Sequence, residues 1–279
     1  MSLSLTTNAL AQFDAEVKQA YQGMGKLRPS VRLRTGVVGS THQFPKIGKG
    51  SAQQRTPQTD VTPMNVVHSN AIATLTDWCA PEYTDIFNQA TVNYDERQQL
   101  AGVIAGAIGR REDQLILNAL DAASSTLTIP DSIGGTSSGL NTAKVRRAKR
   151  LLDAQGVDSM DRTFTLSAYG LEQLLGDGDA NTVDKNVIKA LYDGEIKKWV
   201  GFDFVVIEDR TEGGLPLSST ARTGYAYHKS AVGMAIGIEF RTEVNYIPEK
   251  TSWLSNGLFK GGSVGIDALG IVEYVTYEV

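Results

Sequence analysis

The chain has one cysteine, Cys79, and only three histidines, His42, His68 and His228. A single thiol excludes an intramolecular disulfide, and three scattered imidazoles do not supply the spaced clusters that a structural zinc site requires. Long apolar runs are also missing. None approaches the ~20 residues that cross a bilayer as a helix, so no membrane contact is expected. The opening stretch MSLSLTTNALAQFDAEV lacks a basic segment followed by an apolar core and a small-residue cleavage site, which predicts synthesis in the cytoplasm. Catalytic signatures are absent as well: there is no HExxH, GxSxG or CxxC, and the glycine-containing pieces GVVGS, GKGS and GMAIG match neither a phosphate-binding loop nor a dinucleotide fingerprint. No catalytic residue, cofactor or metal site is therefore assigned, and an enzyme is not expected.

What is present is ordinary globular material, 41% apolar and 21% charged, in a chain long enough for one large domain or two ordinary ones. The charge is unevenly placed. Residues 1–59 carry eight cations against Asp14 and Glu16, a net +6 that leaves −10 for the remainder. A basic arm on an acidic body can reach an acidic surface of a neighbouring copy, can touch nucleic acid, or can be a solvated loop.

The pattern along the chain is α+β. Leu10, Phe13, Val17 and Tyr21 have helical spacing within residues 4–24. From Arg28 to Pro63 the text becomes polar, with RLRTGVVGSTHQFPKIGKGSAQQRTPQTDVTP suited to a two-stranded excursion that turns at Gly36 or Gly39 and again at Gly48 to Gly50. So long a polar excursion is uncommon in a compact domain unless it has a function. The mixture of β-branched residues around Val67, Ile72, Leu75 and Trp78 predicts a strand turning at Pro81. The strongest helix signal spans about 93–122: Asn93 and Glu96 form a capping box, followed by an uninterrupted apolar stripe through Leu120. Asn141 or Thr142 then caps a helix stopped by Gly156, RTFTL reads as a strand, Ser167 opens a short helix, a further helical stretch reaches Tyr192, and FDFVVIED is a strand. The end is rich in strand formers, with AVGMAIGIEF, RTEVNYI and GIVEYVTYEV separated by turns.

Other candidates have plainer readings beside them. Asp177, Asp179 and Asn181 have the spacing that begins a calcium loop, but Thr182 stands at the glycine position and Ile188 at that of the bidentate glutamate, so a turn with helix-capping residues is expected. Cys79 beside Trp78 reads as a small core residue rather than a nucleophile served by His68. Trp78, Trp199 and Trp253 suit core packing or an interface.

Three stretches carry a family resemblance. SVRLRTGVVGSTHQFPKIGKGSAQQRTP, with Gln43, Phe44, Pro45 and Gly48, resembles the extended-loop region of short-tailed phage capsid proteins. YDERQQLAGVIAGAIGRREDQLILNAL resembles the spine helix of the same proteins, and LYDGEIKKWVGFDFVVIED followed by AYHKSAVGMA resembles their axial-domain pattern through Gly194, Gly201, Phe202 and Phe204. The chain is thus similar to the major capsid proteins of tailed bacteriophages with the Hong Kong 97 fold, and most similar to those of podoviruses.

The resemblance implies an N-terminal arm (1–27), an extended β-hairpin loop (28–65), a peripheral domain (66–139) with its spine helix, an axial domain (140–224), and returning strands (225–279). It implies self-assembly into hexamers and pentamers of an icosahedral shell around double-stranded DNA, with a scaffolding protein, a portal and a decoration protein as partners, in a virion capsid assembled in the host cytoplasm. Arg32, Arg34, Lys46, Lys49 and Arg55 are the candidate inter-subunit contacts. An encapsulin-type compartment shell shares the same fold and is the alternative. A cytoplasmic enzyme with an atypical site is a third reading.

Overall fold

The computed structural model describes residues 23–87, 96–123, 127–177 and 198–278. The helix expected from residue 4, the capping residue Asn93, the helical stretch to Tyr192 and the Asp179–Asn181 turn lie outside these residues.

A 3-10 turn at Arg28–Ser30 leads into strands β1 (Arg32–Arg34), β2 (Thr41–Ile47), β3 (His68–Thr74) and β4 (Thr76–Asp85). Helix α1 (Glu96–Ala123), β5 (Thr128–Ile129), α2 (Thr142–Ala154), β6 (Arg162–Ser167) and α3 (Ala168–Gly176) follow. The chain ends with β7 (Lys198–Trp199), β8 (Phe202–Ile207), β9 (Leu217–Ser218), β10 (Ala221–His228), β11 (Val232–Ile247), β12 (Ser252–Gly265) and β13 (Ile271–Tyr277). The α+β reading holds.

Two sheets and a hairpin organise these elements. The first sheet has the order β1-β11-β12-β4, and α1 lies across it. At 28 residues and 1.5 Å rise, α1 is a rod of about 42 Å. Its apolar side, including Ile108, Ile116, Leu117 and Leu120, is buried against Met234, Ile236 and Phe259 of the sheet and against Leu27 and Tyr227. Close approach requires a glycine on β12: a Cβ at Gly257 would stand 2.3 Å from the Ile104 methyl.

The second sheet runs β5-β13-β10-β6-β8-β7, with β9 on the side of β10. Its core joins Val145, Ala148 and Leu152 of α2 and Leu174 of α3 to Phe164, Phe202, Val272 and Tyr274. Both helices start where the sequence says. The Asn141 side chain accepts from the Lys144 amide at 2.9 Å, and the Ser167 hydroxyl accepts from the Gly170 amide at 2.9 Å, satisfying donors that the first helical turn leaves open. Gly156, at φ +71°, ends α2 in the left-handed region where glycine carries no Cβ penalty.

Four expectations are corrected. Pro81 makes no turn; it sits inside β4 opposite Asn256, tolerated because β4 is an edge strand and the missing N–H breaks no ladder. Cys79 is exposed, because it points to the sheet face opposite Trp78, the residue that meets α1 through the Arg111 guanidinium at 4.2 Å. Val232–Ile247 is one strand rather than two with a turn between. Its register against β12 shifts between Ile236 and Ile238 and again before Arg241, and these bulges interrupt the alternation that a sequence reading depends on. Finally, β12 itself was not anticipated, since glycine at 257, 261, 262 and 265 dilutes its β-forming character.

Candidate functional site

The hairpin of β2 and β3 pairs Thr41 with Thr74 at its root and Ile47 with His68 at its far end. Its root is anchored by Phe44, Ala73 and Leu75 buried with Ala235 of β11. A Cβ at Gly262 would fall 1.9 Å from the Thr74 carbonyl oxygen, so glycine there lets the root seat on β12. Beyond the root the burial ceases. Residues 48–65 are exposed throughout, and Ile47, Val61, Met64, Val67 and Ile72 present apolar side chains to solvent, Val61 at 78%.

The five basic candidates are not brought together. Arg32, exposed on β1, places its guanidinium 5.8 Å from the Phe44 ring centre. Lys46 forms an ion pair with Asp267 at 2.8 Å, and the Lys49 ammonium donates to the Gln155 carbonyl at 3.2 Å. Both lysines therefore tie the hairpin to its own chain. Arg34 and Arg55 are exposed and make no ion pair among the described residues, which leaves their charges available to another surface.

A denser electrostatic centre, with no local signal in the sequence, lies where residues 23–30 cross α1. Asp113, fully buried, accepts from the backbone amides of Lys26 and Leu27 at 2.9 Å each and from Arg210 at 2.6 Å. One helical carboxylate thus holds both the entering chain and the segment after β8. Next to it, Arg28 bridges Glu112 of α1 at 3.4 Å and Glu239 of β11 at 2.7 Å. Burial pushes the Glu112 carboxyl up to about 7, against the opposing pull of Arg28 and with a further push from Glu239 and Asp113. The run Arg110 to Asp113 looks like a solvated helix face in sequence; its partners are remote in the chain, so only the fold shows that two of its acids turn inward.

The second sheet contains similar buried ties. Arg222 pairs with Glu278 at 2.8 Å and Asp209 at 2.6 Å, and the Lys144 ammonium donates to the carbonyls of Ser138 and Val275 at 2.6 and 3.0 Å. Burial lowers Lys144 to about 8. Asp177, first of the suspected calcium-loop residues, accepts from the Thr142 amide at 2.7 Å and so helps cap α2. Among the described residues no three His, Cys, Asp or Glu side chains group as a metal site. A groove of about 810 Å³ is open and lined by residues such as Arg28, Val31, Arg32, His228 and Lys229. These groups bind or neutralise; they hold together the chain's own elements and are not arranged as a nucleophile with its base.

Comparison with known proteins gives a consistent result. The phage capsid protein family matches residues 5–278. No curated protein matches. Among solved structures, the capsid of cyanophage P-SCSP1u superposes with a TM-score of 0.76 at 17% identity, covering 99% of this chain and 95% of that one. The head of Helicobacter pylori bacteriophage KHP40 gives 0.79 at 11% identity, covering 99% and 98%. The capsid of Ralstonia phage GP4 gives 0.72 at 10% identity, covering 98% and 96%.

Proposed function

The chain belongs to the phage capsid protein family, and from that membership we propose how it builds its shell. It is a major capsid protein with the Hong Kong 97 fold, whose copies associate into capsomers of the virion capsid.

The finer reading concerns the contacts. The hairpin tip, residues 48–65, lies on an adjacent copy, where its exposed apolar side chains are covered and Arg55 meets acidic groups; Arg34, on β1 of the body, meets acidic groups of an adjacent copy as well. The observation that carries this is the arm itself: rooted by a small core, exposed beyond it, and lined with Val61, Met64 and Val67 in the open. Lys46 and Lys49 act within the chain, setting the angle at which the hairpin leaves the body. The division into arm, extended loop, peripheral and axial regions belongs to the same reading. So do hexamers and pentamers, an icosahedral shell around double-stranded DNA, the scaffolding, portal and decoration proteins as partners, assembly in the host cytoplasm, and kinship with podoviruses. Reversing both free charges, Arg34→Glu with Arg55→Glu, should leave the monomer's melting unchanged and greatly reduce particle yield. Full particle yield from that double variant would refute the contact.

A further inference from the structure

We propose that the outer edge of β11, around Thr242, is a two-fold contact in which the strand pairs antiparallel with the same strand of a second copy. This rests on the shell-subunit reading and adds to it a second interface, distinct from the hairpin.

The first sheet has two edges, and they differ. β4 carries Pro81, which cannot donate, together with Asp77, Glu82 and Asp85; prolines and charges of this kind blunt an edge against pairing. At the other edge β1 covers β11 only from Gly233 to Ala235. Residues 240–247, in regular register with β12 from Arg241 onward, have no strand on their outer side among the described residues. This stretch holds neither proline nor lysine, and residues 241–246 are exposed without exception.

The strand is self-complementary about Thr242. Laid antiparallel on a copy of itself with Thr242 opposite Thr242, Arg241 stands opposite Glu243 of the second copy and Glu243 opposite its Arg241. On the other face Thr242 meets Thr242 of the second copy. Opposite charges and Thr–Thr pairs directly across an antiparallel ladder are favoured combinations. In the single chain Arg241 and Glu243 pair with each other at 3.0 Å, with side chains 59% and 45% exposed. The bulge before Arg241 ends the ladder on one side, which by symmetry confines the pairing to residues 241–243 of each copy and excludes an open-ended array. An isologous pair of this kind closes on itself.

The test uses the full chain. Arg241→Glu and Glu243→Arg should each lose particles, because like charges then oppose one another across the two-fold. Mixed together, the two variants should recover particles, since each supplies the sign the other lacks in trans. A contact made only within one chain predicts no recovery on mixing. In a Cys79→Ser background, Thr242→Cys should give disulfide-linked dimers in oxidised particles. Shells that form without such dimers, or that form fully from either charge variant alone, overturn the pairing while leaving the shell reading intact. Absence of any shell from the unaltered chain would instead sink the reading on which the pairing rests.

Discussion

At the scale of single residues, the acids of α1 bear most of the electrostatic cost. Asp113 is fully buried and holds the Arg210 guanidinium, itself 10% exposed, together with two backbone amides. Removing one member of a buried pair strands the other, at a cost of about 3–5 kcal/mol. Asp113→Ala should therefore destabilise the unassembled chain by that order in denaturant unfolding, and a loss below about 1 kcal/mol would contradict the assignment. Burial raises both acids, and Glu112 makes the effect readable against pH. Its folded pKa, about 7, lies above the 4.5 of a free carboxyl, so the folded state binds more protons between those values and stability falls as pH rises through the window. Glu112→Gln should remove this slope. The wild-type chain should be relatively more stable than the variant at pH 5 than at pH 8, by at most about 3 kcal/mol, read from melting at both values. Arg28, Glu239 and Asp113 are the charged groups around that carboxyl, and an unchanged difference across the window would mean that Arg28 keeps it ionised.

Elements divide according to whether their partners are local. α1, α2 and α3 were legible because caps and apolar stripes lie within a few residues of each other: Asn141 caps through Lys144, and Ser167 through Gly170. β11 and β12 were not read correctly, since a bulge breaks the alternation of one and glycines serving close approach replace side chains in the other. The same contrast predicts how the hairpin responds to change. Its root is packed, so Gly262→Ala, whose Cβ collides with the Thr74 carbonyl, should cost about 1–3 kcal/mol as an overpacked contact. Its tip is not packed. Replacing residues 50–65 by Asn-Gly, a two-residue hairpin turn in register with the pairing of β2 and β3, should leave the melting temperature of the monomer within a few degrees and abolish particles. Equal thermal losses from both changes would show that the tip serves its own chain.

For the whole molecule, what the sequence made visible was the order of elements and the charge asymmetry; what it hid was the use of that charge. Lys46 finds Asp267 and Lys49 finds Gln155, 106 residues away in the second case, pairings that no local pattern encodes, so the basic region separates into two tethers and two free arginines only in three dimensions. A chain with a projecting apolar arm and an unprotected strand edge is incomplete alone, and many modest contacts repeated by symmetry give a closed shell its stability. Electron microscopy of the purified full chain, alone and with the hairpin tip replaced, tests this most directly. The account predicts closed shells or capsomers from the intact chain and none from the shortened one. A chain that stays monomeric at high concentration, or shells that form equally without the tip, would contradict it.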